Sequence, residues 1–253
     1  MKGISCLCVT YSRVELLEES IECFLRQTYK GPKELIIIND CDDQILEYDH
    51  PEVVIFNTSR RFRSLGEKRD TSVALSKYDW LAIWDDDDIF LPHRLEFSMN
   101  KINENNLDYY KLGVSFSYDM NSGIKKITNN TYFSASIFSR RLYETTSGHG
   151  YTNFGEDKYI EEQMFNNKKY KHLIEKIYKK GSLIKEEDIY YFYRFSGIPG
   201  HATSCIGKDD ELGWLEKMRK KGKRKTGKIK LNPHWDKDYI NMSNEFIKNN
   251  KHK

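Results

Sequence analysis

No apolar run in these 253 residues approaches the roughly 18 that a membrane span needs. The opening Met1-Lys2-Gly3 leads straight into an apolar strand pattern without a small-residue cleavage site, so no signal peptide is expected. Cysteine is scarce: there are five, an odd number, without framework spacing. Cys6, Cys8, Cys23 and Cys41 fall in or beside apolar segments. That pattern excludes a disulfide scaffold and points to reduced thiols in a cytoplasmic protein. Cys6 and Cys8 share one strand face, but no second cysteine pair completes a zinc site. The turn after the first apolar segment reads Thr10-Tyr11-Ser12-Arg13. It has neither the G-x-G-x-x-G of dinucleotide binders nor the G-x-x-x-x-G-K-[ST] of P-loops, which argues against hydride transfer and P-loop ATP hydrolysis. Internal repeats and long linkers are also lacking.

What the chain does have is aromatic and charged. It carries 17 Tyr and 13 Phe, and charged residues make up 31%. That aromatic content is incompatible with a wholly disordered chain, and the length allows a sizeable core. The net charge of +3 conceals an asymmetry. From Lys217 onward 13 Lys and Arg face 3 Asp and Glu, whereas residues 1–216 carry 28 against 35. A basic C-terminal segment on an acidic body suggests a polyanionic contact.

Residues 4–10 (ISCLCVT) read as a buried strand and 14–27 as a helix with Leu16, Leu17, Ile21, Phe24 and Leu25 on one face. Strands are expected at 34–39, 53–56 and 80–84, and helices at 65–76 and from Pro92 to about residue 103. Strand alternating with helix implies a mainly parallel sheet covered on both faces. The second half changes character. Strands are expected at 110–118, 132–137 and 188–195 and a helix at 156–166, with a mostly helical remainder.

The strongest chemical signal is Asp85-Asp86-Asp87-Asp88, directly after WLAIW. Adjacent carboxylates at a buried strand end raise one another's pKa, and a hard divalent cation relieves that cost. Oxygen ligands select Mg²⁺ or Mn²⁺. Asn39-Asp40-Cys41-Asp42-Asp43 follows the second strand, where a carboxylate can accept from a base ring N–H or cap a helix. Arg60, Arg61, Arg63, Lys68 and Arg69 form a basic loop and helix start around Gly66, able to hold a diphosphate. Tyr11 offers a stacking face and Arg13 a phosphate contact.

In this order, these pieces resemble family-two glycosyltransferases of the GT-A fold. VTYSR and the helix ending in Arg26-Gln27-Thr28-Tyr29 are similar to the family's opening. ELIIINDCDD is similar to its second strand and acidic turn, and SLGEKRDTSVALSKYDWLAIWDDDDIFLPHRL to its G-x-x-x-R-N helix, acidic metal motif and Pro-x-x-Arg-Leu. Asp70 departs from an Asn common in the family, and Asn39 from an Asp. Further on, Ser134 to Arg141 resembles the family's small-residue strand and Arg-Arg turn, and Phe154-Gly155-Glu156-Asp157 the Gly-Glu-Asp that opens a later helix. Tyr193-Arg194 with His201 and Ser204 resembles its late segment.

The resemblance implies an α/β GT-A (Rossmann-like) fold: a mixed, mainly parallel sheet flanked by helices, with a helical basic C-terminal extension. Residues 1–207 would form the transferase domain, 1–107 its nucleotide-sugar half and 108–207 its acceptor half, with 208–253 the extension. It implies a metal-dependent inverting glycosyltransferase with a nucleotide-sugar donor, a UDP-sugar by expectation. Asp157 is the expected general base, Asp87 the metal ligand with His201 a further one, and Mn²⁺ or Mg²⁺ the ion. Asp85, Asp86, Lys68 and Arg69 are expected on the donor's sugar and diphosphate, and Thr10, Tyr11, Arg13 and Asp40 on the nucleotide. The expected acceptor is a surface glycan. The basic run 217–230 leaves open hydroxylated bases of DNA, or a lipid-linked sugar at an anionic membrane surface. A nucleotidyltransferase and a non-catalytic nucleic-acid or surface binder are the rival readings.

Overall fold

The computed structural model describes residues 1–119, 123–128, 132–167, 185–194 and 225–250. Ile4–Thr10 forms β1, buried along its whole length. Helix α1 (Val14–Leu25) follows and lays Val14, Leu17, Ile21 and Phe24 into the core. Strands β2 (Lys33–Asn39), β3 (Gln44–Glu47) and β4 (Val53–Asn57) come next, then α2 (Leu65–Leu75), β5 (Trp80–Ile83) and the two-residue β6 (Ile89–Phe90). Helix α3 (Arg94–Asn105) leads to β7 (Tyr109–Lys111), β8 (Ser115–Asp119) and β9 (Gly123–Ile127). After β10 (Ser136–Ser139) come the short α4 (Arg140–Tyr143), α5 (Glu156–Asn166), β11 (Tyr191–Arg194), β12 (Gly227–Lys230) and α6 (Tyr239–Asn250).

The main sheet has the order β4-β2-β1-β5-β10-β7. Strands β4, β2, β1 and β5 are parallel, and β10 runs against both β5 and β7. β1 therefore has its first crossover partner on one side and a much later strand on the other. Such a switch point opens a crevice at the carboxyl ends of the strands. Thr10, Asn39 and the residues after Ile83 all sit at that edge. A second sheet, β6-β11-β8-β9, packs beside it. No helix among the described residues is long and apolar enough to cross a membrane.

Three sequence expectations change. The strand expected over 110–118 is two strands in different sheets, β7 and β8, divided at Leu112–Val114. The strand expected over 132–137 starts only at Ser136. Before it lies a 3₁₀ turn, Phe133–Ala135, closed by the Ser136 hydroxyl on the Phe133 carbonyl at 2.6 Å. The C-terminal extension, expected to be helical with an interruption at the basic stretch Lys217 to Lys230, contains β12 at the end of that stretch. This strand pairs in parallel with β3 and buries Ile229.

The extension is fastened through buried charge. Glu18 accepts from the Asn232 amide at 2.8 Å. Glu19, 2% exposed, accepts from the Tyr239 hydroxyl at 2.7 Å and the Asp236 amide at 3.2 Å. Its other oxygen pairs with Arg194, itself buried. Removing one partner of a buried pair strands the other. Glu19→Ala is expected to cost about 3–5 kcal/mol in urea unfolding. Tyr239→Phe, which removes one donor to the charged Glu19 and leaves its other partners, should cost less, about 1.5–3 kcal/mol. Equal, small losses in both variants would contradict this role for Glu19.

Candidate active site at the carboxyl edge of the sheet

The acidic run occupies the turn between β5 and β6. The turn is held from behind. Trp84 donates its amide to the Leu7 carbonyl at 2.9 Å and its indole N–H to the Ser20 carbonyl at 3.1 Å. Arg94, 1% exposed, lies over the Trp84 and Phe90 rings and donates to the carbonyls of Ile83 and Ser134 at 2.5 and 2.7 Å.

The four carboxylates go to four different settings. Asp85 accepts from Arg69 at 3.0 Å and from the Ser134 hydroxyl. Asp86 is fully buried and takes Arg13 in a fork, Nε at 3.1 Å and Nη2 at 2.5 Å. Asp87 takes Nη1 of the same guanidinium at 2.6 Å. Asp88 accepts from the Tyr191 hydroxyl at 2.6 Å and the Arg194 amide at 3.2 Å. Asp88 thus pins the turn to β11, while Arg194 Nε holds the Asp87 carbonyl at 2.5 Å. Burial pushes Asp86 up to about 6, against the pull of Arg13, and pushes Asp88 well above the usual carboxylate range. The side chains of Asp85 and Asp87 keep 18% and 8% exposure against none for Asp86, so alternate members of the run reach the crevice.

On the other wall, Lys68 is buried and donates to the Thr10 carbonyl and to Asp40, each at 2.5 Å. Asp40 also accepts from the Phe62 amide at 3.1 Å. Lys68 therefore braces the ends of β1 and β2, and burial lowers its pKa. Tyr11 has one ring face under Arg61, 4.1 Å from its centroid. Asn39 ties the turn after β2 to Gln44 and Asn57. Of the described residues, only Cys41, Asp42 and Asp43 place three potential ligand atoms within 4.8 Å of one another.

Arg69 closes the site. It bridges Asp85 and Glu156, at 3.0 and 3.3 Å, and these two carboxylates hold its own pKa above the usual value. Glu156 opens α5 behind Gly155, which adopts the left-handed φ of 74° that favours glycine. Asp157 comes next in the first turn, partly exposed, accepting from the Lys158 amide at 2.7 Å. Gly66 lets the preceding loop approach: a Cβ there would lie 1.8 Å from the Gly150 carbonyl oxygen. His201 lies outside the described residues, as do Lys217 to Arg224 of the basic run. Its described end is partly paired, Lys225 with Glu15 and Lys228 with Glu47.

The structure adds residues that sequence reasoning did not assign. Ser134 reaches Asp85, and Glu19 and Arg194 hold the acidic turn. Asp70, the departure from the family Asn, accepts from the Tyr143 hydroxyl at 2.7 Å and pairs with His149 Nδ1 at 2.7 Å. His149 is fully buried, and burial lowers its pKa. The unfolded chain then takes up a proton that the folded chain refuses, so this stability is present above about pH 6.5 and declines below it. The urea midpoint of the wild type should fall between about pH 7.5 and 5.5 more steeply than that of His149→Gln. Parallel profiles would contradict a buried neutral imidazole.

Among the described residues, Arg13, Lys68 and Arg69 pair with Asp40, Asp85, Asp86, Asp87 and Glu156. The oxygen donors of the acidic run are of the kind that Mg²⁺ or Mn²⁺ takes. The residues present therefore fit such an ion.

The profile of glycosyl transferase family 2 matches residues 5–165. An uncharacterized glycosyltransferase of Methanocaldococcus jannaschii is 34% identical over 112 residues, covering 42% of this chain and 38% of the relative. One of Haemophilus influenzae is 31% identical over 106 residues, covering 40% and 35%. The matches thus span little more than a third of either relative. Among solved structures, S. aureus TarS 1–349 in complex with UDP-GlcNAc superposes with a TM-score of 0.52 at 12% identity, over 86% of this chain and 65% of TarS. At that identity the likeness is one of fold.

Proposed function

The chain belongs to glycosyl transferase family 2, and on that premise we propose that it is a glycosyltransferase that moves a sugar from a UDP-sugar to an acceptor hydroxyl with inversion, using a divalent metal. The observation that carries this reading is the Arg69 bridge. It joins Asp85 of the acidic turn to Glu156 at the start of α5, the residue that precedes Asp157. The fold shared with a UDP-GlcNAc complex supports the donor class.

Asp87 is assigned to the metal and Asp85 and Asp86 to the donor side of it. Thr10, Tyr11, Arg13 and Asp40 shape the nucleotide pocket, with Lys68 bracing Thr10 and Asp40. When bound, Mn²⁺ or Mg²⁺ supplies charge compensation for the diphosphate. Arg69 adds to it from the protein. Asp157 takes the proton of the acceptor hydroxyl. The oxygen forms its bond to the anomeric carbon from the face opposite the nucleotide, the bond from that carbon to the diphosphate oxygen breaks, and UDP leaves. Residues 1–107 are assigned to the donor, 108–207 to the acceptor and 208–253 to the extension. The acceptor is assigned to a surface glycan. The buried thiols of Cys6, Cys8, Cys23 and Cys41 favour a cytoplasmic setting.

Incubation with a panel of sugar nucleotides tests the reading. Slow hydrolysis of a UDP-sugar, stopped by chelator, is expected. Hydrolysis indifferent to chelator, or release of pyrophosphate instead of UDP, would overturn it.

A further inference from the structure

Large apolar side chains at the surface of the described residues are mostly scattered, but Tyr151, Phe154 and Tyr159 fall within nine residues of one another. Tyr151 is 83% exposed and Phe154 65%. A folded chain ordinarily covers such rings, so a group of them marks a contact surface.

The segment that presents them is anchored. Gly66 donates its amide to the Thr152 carbonyl at 3.1 Å, and Leu65 donates to Asn153 Oδ1 at 2.8 Å. The first-turn amides of α2 are thereby satisfied by this loop. Thr152 closes on Phe154 twice, its hydroxyl accepting from the Phe154 amide at 3.2 Å and donating to the Phe154 carbonyl at 2.8 Å. The Tyr159 ring lies against Gly150. Tyr151 and Phe154 therefore flank two tied residues while their own rings stay outside. Rings on a fixed backbone lose little freedom on binding.

Their place in the chain fixes their neighbour. Phe154 precedes Gly155, then Glu156, held by Arg69, then Asp157. The charge nearby selects the ligand. Between Ser147 and Asn167 four carboxylates stand against one cation, Lys158; Glu156 is buried on Arg69 and Glu161 pairs with Lys111, so Asp157 and Glu162 set the charge of the surface. Such a surface repels phosphate and suits a neutral molecule with one apolar face and many hydroxyls.

We propose that Tyr151 and Phe154 form an acceptor subsite that stacks a neutral pyranose ring beside Asp157. This rests on the glycosyltransferase reading above and extends it to the acceptor. The ring's axial C–H face would meet the aromatic rings, leaving its hydroxyls directed to solvent and to the carboxylate.

Saturation-transfer NMR on the full chain with UDP and diamagnetic Mg²⁺ tests it, with the methyl β-pyranosides of glucose, galactose and N-acetylglucosamine as probes. At least one should receive saturation on its ring C–H protons. Phe154→Ala and Tyr151→Ala, at exposed positions, should each weaken that signal roughly fivefold, leaving UDP signals unchanged. No transfer to any of the three glycosides, or equal transfer in wild type and variants, would overturn the subsite. So would a hydroxymethylated DNA duplex that binds through these two rings while the glycosides do not. Loss of the UDP signals in the wild type would instead count against the donor site.

Discussion

Asp87→Asn should abolish sugar transfer, a loss of at least about 10²-fold, and should weaken UDP binding in the presence of Mn²⁺. The side chain is nearly isosteric, and Arg13 keeps its two-point contact with Asp86, so the turn should hold its shape. What is removed is the negative charge of one carboxylate assigned to the metal, on a side chain that also pairs with Arg13. The Asp87 carbonyl stays on Arg194, and Asp88 stays on Tyr191, so the two sheets remain joined. Thermal unfolding without ligand should be close to that of the wild type. Undiminished turnover in this variant, or wild-type turnover in excess chelator, would contradict the assignment.

Asp157→Asn should lower transfer by on the order of 10² or more and leave UDP affinity nearly unchanged. Asp157 is partly exposed at the first turn of α5, whereas the neighbouring Glu156 is buried against Arg69. Replacing Asp157 leaves that bridge in place, so a variant that binds donor but cannot take the acceptor's proton is expected. Proton NMR of the product should show the anomeric configuration opposite to that of the donor in the wild type. Retention of configuration, or persistence of transfer in the variant, would rule out a single displacement with Asp157 as its base.

The donor half was legible because its signals are local. ISCLCVT and ELIIIN are continuous apolar runs that can only be buried strands, and the four aspartates follow a third such run. Local patterning could not say which aspartates face the crevice. That depends on Arg13, 73 positions away from Asp86, and on Arg194, which joins the turn across 107 positions. Strand β3 escaped notice because QILE is short and half polar, and its partner β12 lies at the far end of the chain. The segment from Tyr110 to Tyr118 looked like one strand because both pieces are aromatic and buried, yet they belong to different sheets. Lys68 reads in the sequence as one of the cations for a diphosphate; in the fold it donates to the Thr10 carbonyl and to Asp40, contacts that local patterning does not show. The Asp70 departure reads differently once His149 and Tyr143 are seen on it: the carboxylate supports the loop that leads to α5.

The metal-linked donor site is tested most directly by titration calorimetry of UDP into the wild type, Asp87→Asn and Asp157→Asn, each with and without Mn²⁺. The account predicts that Mn²⁺ strengthens UDP binding in the wild type and in Asp157→Asn, and that this gain vanishes in Asp87→Asn. UDP binding equally tight in all three proteins and indifferent to Mn²⁺ would contradict it.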